Sequence, residues 1–227
     1  MLKQKNNKKS DKYLTKQEIA NFLIEQLPLM YPDAKCALNY RNVFELLVAT
    51  ILSAQCTDKQ VNRVTPVLFA RCATPEDFTK ISSKSLEVLI HSTGFFHTKA
   101  RNIQALSKIL VEEYKGEVPC TMKELTALPG VGRKTANLVL NDGFDIRAGV
   151  VVDTHVGRLA RRLGLTEARD PEKVERDLTA LFPQKYWGLL SHWLIWHGRT
   201  LCPARAPRCT ECPLALKCPK NGIISHF

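Results

Sequence analysis

The side chains best suited to chemistry in this 227-residue sequence are Lys134 and Asp153. Lys134 closes the segment LPGVGRK, residues 128–134, in which a proline and two glycines predict a tight turn before a helix. Asp153 follows the apolar stretch 148–152 and precedes a predicted helix start at 154–158. Together they suggest nucleophilic attack by an amine, assisted by a carboxylate that emerges from buried surroundings. The structural alternative for Asp153 is a helix N-cap, a role compatible with catalysis.

The predicted turn at 128–134 is a candidate phosphate site. Unpaired backbone N–H groups at the start of a helix bind anions, and Gly130, Gly132 and Arg133 would surround the phosphate. A cationic pair is unfavourable at a helix N-terminus unless an anion offsets it. The same field favours the neutral form of the Lys134 amine, the form that attacks carbon. The structural alternatives are a helix–turn–helix corner for the turn and a plain phosphate contact for Lys134.

Four of the eight cysteines form a separate motif near the end of the chain. They have the spacing C-x6-C-x2-C-x5-C and are Cys202, Cys209, Cys212 and Cys218. Without a secretion signal, such a cluster is predicted to bind metal rather than to form disulfides. The spacing matches neither paired zinc knuckles nor the common ferredoxin runs, and it favours iron–sulfur over zinc. Arg205 and Arg208, which lie between the ligands, would then clamp DNA phosphates.

Composition indicates the class of partner. A net charge of +11, from 33 Lys and Arg residues against 22 Asp and Glu residues, favours nucleic acid. No apolar run reaches the ~18 residues of a membrane span, and the N-terminus lacks a hydrophobic signal region. Residues 1–12 carry five lysines without apolar periodicity, which predicts a disordered basic tail, and residues 221–227 are expected to form a C-terminal tail.

The elements that position these groups are predicted to be helices throughout. Capping patterns and apolar stripes recur at helical spacing, without an alternating strand or an internal repeat. Residues 43–52 are apolar nearly all round and predict a buried central helix. The fold class is therefore all-α, with about ten helices. Four scattered cysteines are read as small buried residues; they are Cys36, Cys56, Cys72 and Cys120.

Two further turns carry side chains of interest. The segment LSAQCTD, residues 52–58, ends the predicted buried helix in a polar cluster, for which a helix–helix corner is the alternative. The turn at 94–97 carries Phe95 and Phe96 side by side. One ring is expected in the core and the other in solvent. An exposed ring on a turn that faces DNA would wedge between bases.

In their order and spacing, LPGVGRKTA, VDTH and the cysteine motif resemble the endonuclease III family of helix–hairpin–helix DNA glycosylases with abasic-site lyase activity. The resemblance covers residues 13–220. It implies two helical domains flanking a DNA-binding cleft. A six-helix domain with the hairpin would span 36–146, and residues 13–35 with 147–220 would form the domain that carries a [4Fe–4S] cluster.

The resemblance also implies an activity. The substrate would be duplex DNA with oxidised pyrimidines or abasic sites, in the bacterial cytoplasm and associated with the nucleoid through DNA. A monomer is expected, since no extra apolar heptad suggests assembly. Lys134 matches the nucleophile and Asp153 the catalytic carboxylate, and the four cysteines match the cluster ligands. Gln55 matches the residue that fills the gap left by the extruded base, and Phe95 stands where the family often has a leucine wedge. Pocket or backbone contacts correspond to Ser53, Asp58 and His155.

Two alternatives remain at this point. A related glycosylase that removes adenine from mismatches lacks the lysine and carries a catalytic glutamate where this chain has Thr50, so Lys134 favours the bifunctional lyase. A glycosylase of different base specificity is the nearest version of this alternative. The second is a non-catalytic helix–hairpin–helix DNA-binding protein with a structural metal loop. Mere binding needs neither an amine at a helix N-terminus nor a desolvated carboxylate.

Overall fold

The structure is a computed structural model that describes residues 14–223 of the chain. The predicted tail at 1–12 lies outside the described residues, as does most of the predicted tail at 221–227. Within 14–223 there is no strand, so the all-α prediction is confirmed. The α-helices are α1 (Lys16–Met30), α2 (Val43–Leu52), α3 (Asp58–Arg71), α4 (Pro75–Lys80), α5 (Ser83–Ile90), α6 (Phe96–Tyr114), α7 (Met122–Ala127), α8 (Arg133–Leu138), α9 (Thr154–Arg162), α10 (Pro171–Leu181) and α11 (Trp187–Thr200).

The helix starts follow from local side-chain chemistry. Thr15 and Thr74 form full capping boxes, and Asn42 and Asp153 cap their helices through side-chain oxygens. Each cap satisfies a backbone N–H that the first helical turn leaves unpaired. Helix α8 has no side-chain cap, because its N-cap residue is Gly132. Its first N–H groups therefore stay open to an external acceptor.

The first lobe, residues 36–148, is built around α2. Every residue of α2 after Val43 is buried, as its apolar sequence predicts, and the helix packs against α3, α6 and α8. The surrounding core takes one apolar stripe from each neighbour, including Leu68 of α3 and Leu106 of α6. Helices that bury one face in this way leave their polar faces to solvent.

The second lobe combines residues 19–34 with residues 150–214 around a separate core. Helix α1 contributes the stripe Ile19, Leu23 and Leu27, and α9, α10 and α11 cover it. The two cores meet at no buried apolar residue that belongs to both. The domain boundaries 36–146 and 13–35 plus 147–220 stay a proposal, from which Ala148 departs because it packs against the first core.

A buried carboxylate joins the lobes. Glu175 of α10 accepts from Arg133 Nε at 2.7 Å and Nη2 at 3.0 Å, and from Asn137 Nδ2 at 2.9 Å. A Cβ at Gly149 would lie 2.1 Å from Glu175 Oε1. Glycine at this position therefore lets the segment that connects the lobes pass close to the Glu175 carboxylate. After α8 the chain makes a π-helical turn, Val139–Gly143, in which Asn141 Nδ2 donates to the Gly149 carbonyl at 2.9 Å. The crossing between lobes is thus held by polar contacts.

The scattered cysteines are not all buried. Cys72 is buried, and Cys36 and Cys56 are half-buried against the first core. Cys120 is exposed, so the prediction for it is wrong. It lies in the surface turn directly before Thr121, the N-cap of α7, where the chain faces solvent. Within the described residues, no helix is long and apolar enough to cross a membrane.

Candidate active site and nucleic-acid interface

One pocket between the two lobes brings Lys134 and Asp153 together. Lys134 comes from the start of α8 in the first lobe, and Asp153 from the start of α9 in the second. The other lining residues are Lys35, Cys36, Ala37, Leu38, Ser53, Asp58, Leu138, Val151, His192, Ile195, Trp196 and Arg199. An amine, carboxylates and an imidazole therefore surround a cleft whose walls belong to different lobes.

Lys134 presents a free amine to this pocket. It is the second residue of α8, and its side chain is exposed while Ala136 and Asn137 face the interior. Within the described part of the chain, the Lys134 amine has no hydrogen-bond or salt-bridge partner. Buried Leu128 and Val131 anchor the preceding turn to the first core. The amine is thus held on a fixed backbone and remains available for a reaction.

The two glycines of the turn are required for different reasons. Gly130 has φ +78°, and a Cβ there would lie 2.7 Å from Asn102 Nδ2, so the turn itself needs glycine. A Cβ at Gly132 would meet nothing within 4 Å. Packing within the protein therefore does not demand glycine at 132. A bare backbone at the uncapped start of α8 is suited to close approach by an anion.

Arg133 is already paired. Its guanidinium forms the bidentate contact with buried Glu175 that joins the lobes, and this contact raises the pKa of Arg133. Glu175 is the anion that offsets this cation at the helix start. A DNA contact by Arg133 stays a prediction, in which the partly exposed guanidinium would contact a phosphate while it keeps Glu175.

Asp153 is both an N-cap and a pocket residue. Its Oδ1 accepts a hydrogen bond from the Val156 N–H at 2.8 Å. The other carboxylate oxygen, Oδ2, takes no part in this cap. The residues before it, Val150, Val151 and Val152, are buried, and the Val151 N–H donates to Ser191 Oγ at 2.9 Å. The carboxylate is therefore half-buried and rigidly placed at the pocket wall.

His155 follows Asp153 by two residues, in the first turn of α9. Burial lowers the pKa of His155. The positive charges of Arg158 and Arg199 lower this pKa further, whereas the negative charge of Asp153 raises it. His155 Nδ1 lies 3.3 Å from Arg158 Nη2, which also donates to the Cys202 carbonyl at 3.0 Å. His155 thus lies near both the candidate carboxylate and the cysteine loop.

Gln55 and Phe95 share an unusual backbone conformation. Their φ angles are +54° and +48°, in the left-handed region that non-glycine residues rarely adopt. Both side chains are exposed, Phe95 by 64%. Phe96 instead packs half-buried on the first core, with its ring 4.4 Å from that of His91. Phe95 is therefore the solvent ring of the pair, and strained, exposed tips of this kind are typical of functional loops.

The four motif cysteines line one cavity. None forms a disulfide, and the thiols are close enough for Cys202 and Cys209 to raise the pKa of Cys212, after the larger effect of burial. Apolar neighbours such as Leu159 close the cavity. Arg162 Nη1 donates to Cys202 Sγ at 3.3 Å, and the Lys220 N–H donates to Cys218 Sγ at 3.4 Å.

The two arginines between these cysteines differ. Arg205 is exposed and unpaired within the described residues, whereas Arg208 donates to the Thr200 carbonyl and lies 3.5 Å from Glu211. Arg205 is thus free to contact a phosphate, and Arg208 shapes the loop. No set of three or more His, Cys, Asp or Glu residues in 14–223 is arranged to hold a single metal ion.

Two polar side-chain contacts at the pocket were not predicted from sequence. Arg199 Nη2 donates to Asp58 Oδ2 at 2.8 Å across the cleft between the lobes. His192 Nε2 lies 2.8 Å from Asp142 Oδ1, and both side chains are largely buried. Asp58 was predicted only as a contact position. The one available signal was the placement of Arg199 and His192 on one face of α11, seven residues apart.

Comparison with known proteins agrees with this geometry. Residues 48–184 match the model of the HhH-GPD superfamily of base excision DNA repair proteins. Endonuclease III of Synechocystis sp. is 53% identical over 208 residues, which are 92% of this chain and 95% of that relative. Endonuclease III of Escherichia coli is 41% identical over 181 residues, 80% of this chain and 85% of that relative.

A solved non-covalent endonuclease III–DNA complex has the same fold, with TM-score 0.86, 45% identity, and coverage of 91% of this chain and 96% of that chain. A trapped endonuclease III–DNA covalent intermediate matches equally well, with TM-score 0.86 and 45% identity over 91% of this chain and 97% of that chain. The resemblance inferred from the motifs is confirmed. The chain belongs to the HhH-GPD superfamily of base excision DNA repair proteins.

Proposed function

We propose that this protein is a bifunctional DNA glycosylase and abasic-site lyase that removes oxidised pyrimidines from duplex DNA. The observation that carries the proposal is the pocket in which Lys134 and Asp153 meet beside the hairpin turn. Its relatives of 53% and 41% identity are endonuclease III enzymes, and a structure with the same fold is a trapped covalent DNA intermediate. The Lys134 amine is the group of this chain that would form such a bond.

The chemistry begins with attack of the neutral Lys134 amine on the sugar C1′ atom. The N-glycosidic bond breaks, and the base leaves with the bonding electron pair and takes up a proton. Asp153 stabilises the positive charge that develops on the sugar. The sugar ring then opens: the C1′–O4′ bond breaks, and O4′ takes the bonding electron pair and the proton that the lysine nitrogen loses. The product is a protonated imine between Nζ and C1′.

Strand cleavage follows from that imine. The imine acidifies the C2′ hydrogen, whose removal as a proton expels the 3′ phosphate with the electrons of its C3′–O bond. Water then hydrolyses the imine and releases the Lys134 amine. A damaged base must first leave the stack, at a lower cost than an intact one.

DNA binding is assigned to the turn, the two strained loops and the free cation of the cysteine loop. Gly130 and Gly132 would place bare backbone against a phosphate, and Arg205 would contact a second one. Gln55 and Phe95 would enter the duplex where the target base leaves it. The net charge of +11 supplies a favourable long-range field for this polyanion. We propose a monomer, which carries all these groups in one chain.

We propose that Cys202, Cys209, Cys212 and Cys218 are the ligands of a [4Fe–4S] cluster in the cavity of the second lobe. Four unpaired thiols face an apolar cavity, and N–H groups donate to two of the sulfurs. Those bonds favour thiolates, the form that binds iron. When bound, the cluster would supply a rigid cross-link for residues 202–218. These residues contain few apolar side chains to form a core of their own.

The iron content is a direct expectation. Protein purified in air should be yellow-brown and contain about four iron atoms per chain, as four thiolate ligands and a cubane cluster require. Cys209→Ser should lower the iron content and increase hydrogen exchange in residues 202–218 more than in the first lobe. Colourless protein with one zinc ion per chain would contradict the assignment.

The exposed ring of Phe95 should matter for duplex substrates. Phe95→Ala removes stacking worth ~1–3 kcal/mol per base and should weaken binding to a damaged duplex and slow excision there. The melting temperature should stay nearly unchanged, since the ring is 64% exposed. Phe96→Ala is the matched control, because its ring packs on the first core and its loss should lower the melting temperature. A large drop in melting for Phe95→Ala would refute the wedge.

The substrate class is tested with duplexes that carry thymine glycol, adenine opposite 8-oxoguanine, or uracil opposite guanine. We expect release of the oxidised pyrimidine with concomitant strand cleavage. Release of adenine alone would favour the related mismatch enzyme, and binding without release would favour the non-catalytic protein. Thr50 argues against the adenine enzyme, because it is buried and its hydroxyl donates to the Leu46 carbonyl at 2.7 Å.

A further inference from the structure

Lys99 is a buried cation that the proposed chemistry does not use. It lies in the first turn of α6, is only 4% exposed, and has no carboxylate partner within the described residues. Its Nζ donates to the Leu52 carbonyl at 2.7 Å and to the Thr93 carbonyl at 2.8 Å. Burial lowers the pKa of this amine, so its position is unfavourable for the charged form. An apolar side chain of similar length would avoid this cost.

The Leu52 and Thr93 carbonyls belong to two different loops, which Lys99 connects. Leu52 is the last residue of α2 and directly precedes the loop that carries Gln55. Thr93 ends a short 3-10 turn, His91–Thr93, directly before Gly94 and Phe95. One ammonium group therefore joins the base of the loop that carries Gln55 to the base of the loop that carries Phe95.

A second contact ties the same loops together nearer the surface. Gln60 Nε2, in the first turn of α3, donates to Ser92 Oγ at 2.8 Å. Thr57, which caps α3, belongs to the loop that carries Gln55, and Ser92 belongs to the turn before Phe95. Two independent polar bonds thus link the loops, one buried and one at the surface. Loops that served only as helix connections would need neither.

We propose that Lys99 is a positioning residue that makes the Gln55 loop and the Phe95 loop one rigid DNA-inserting unit. Gln55 and Phe95 would then enter the duplex together, at a separation that Lys99 sets through the Leu52 and Thr93 carbonyls. The proposal rests on the proposed function, because it concerns the step in which the damaged base leaves the stack. It assigns Lys99 no contact with DNA.

The test compares Lys99→Met with Ser107→Ala. The first variant keeps an unbranched four-atom side chain and removes the donors, and the second removes another buried polar group of α6, eight residues after Lys99, that has no hydrogen-bond partner within the described residues. Excision is measured on a thymine glycol duplex, and β-elimination on a single strand that carries an abasic site. Lys99→Met should slow duplex excision by roughly 10–100-fold, the effect of misplacing a positioning group. Cleavage of the single strand should change much less, because no stack has to open.

A variant with both tips removed, Gln55→Ala with Phe95→Ala, separates positioning from general destabilisation. In that background, Lys99→Met should have little further effect on duplex excision. If Lys99→Met folds poorly, Gln60→Ala replaces it in the test, because this surface change leaves the core intact. Gln60→Ala should likewise reduce duplex excision more than cleavage of the single strand. Equal losses on both substrates, or an undiminished effect of Lys99→Met after removal of the tips, would overturn the proposal. Failure of the proposed function would instead appear in the wild-type protein, as no cleavage of either substrate.

Discussion

Lys134→Gln should abolish strand cleavage and imine formation, with a loss of roughly 10⁴–10⁶-fold, the scale seen when an enzyme loses its nucleophile. Glutamine cannot form an imine, yet it keeps an unbranched polar side chain that is only one atom shorter. The fold should be unaffected, because Lys134 is exposed and has no partner within the described residues. Affinity for abasic-site DNA should fall only modestly, since one charge of many is removed.

The same pocket supplies the matched control. Lys35 is a second exposed lysine that lines it, and Lys35→Gln removes an equal charge from the same cleft. We expect that variant to cleave at close to the wild-type rate. Near-normal cleavage by Lys134→Gln would refute Lys134 as the nucleophile, and loss of cleavage in Lys35→Gln alone would point to Lys35 instead.

Asp153→Asn should slow base removal by ~10²–10⁴-fold, the range for a positioned catalytic group. This substitution removes the charge of Asp153 but keeps its role as a helix cap. Asp153 Oδ1 caps α9 through the Val156 N–H, and asparagine caps helices about as well as aspartate. The melting temperature should therefore stay nearly unchanged while the charge that stabilises the sugar is lost.

Two other substitutions complete this experiment. Asp153→Ala should lose the cap as well, at a cost of about 1 kcal/mol in folding free energy. Asp170→Asn changes another aspartate N-cap, that of α10, outside the pocket, and should leave the rate of base removal unchanged. If Asp153→Asn releases base at the wild-type rate, the carboxylate is a cap and nothing more.

Local patterns were sufficient for the elements and for much of the candidate site. The apolar run at 43–52 predicts α2, since a helix that is hydrophobic all round must be buried. The proline–glycine turn predicts the start of α8, and the aspartate before 154–158 predicts an N-cap. Each prediction depends on residues within one or two turns of each other, where sequence spacing and spatial distance correspond.

Contacts between lobes could not be predicted in this way. The sequence places no anion near Arg133, yet Glu175, 42 residues away, supplies one. The bond between Arg199 and Asp58 spans 141 residues. The choice between Phe95 and Phe96 needed the packing, because the Phe95 side chain is exposed whereas Phe96 packs against the first core. Such facts depend on which helix faces turn toward each other, which single-sequence patterns do not encode.

The central claim is that the Lys134 amine bonds to the sugar, and the most direct measurement is the site of the trapped adduct. Wild-type protein is incubated with abasic-site DNA and borohydride, which reduces the imine to a stable amine, and the digested adduct is analysed by mass spectrometry. Trypsin cannot cleave after a modified lysine, so we expect the DNA remnant on the peptide 134–147, which starts after Arg133 and ends at Arg147. An adduct on a peptide that contains Lys35, or DNA binding without any adduct, would contradict the account.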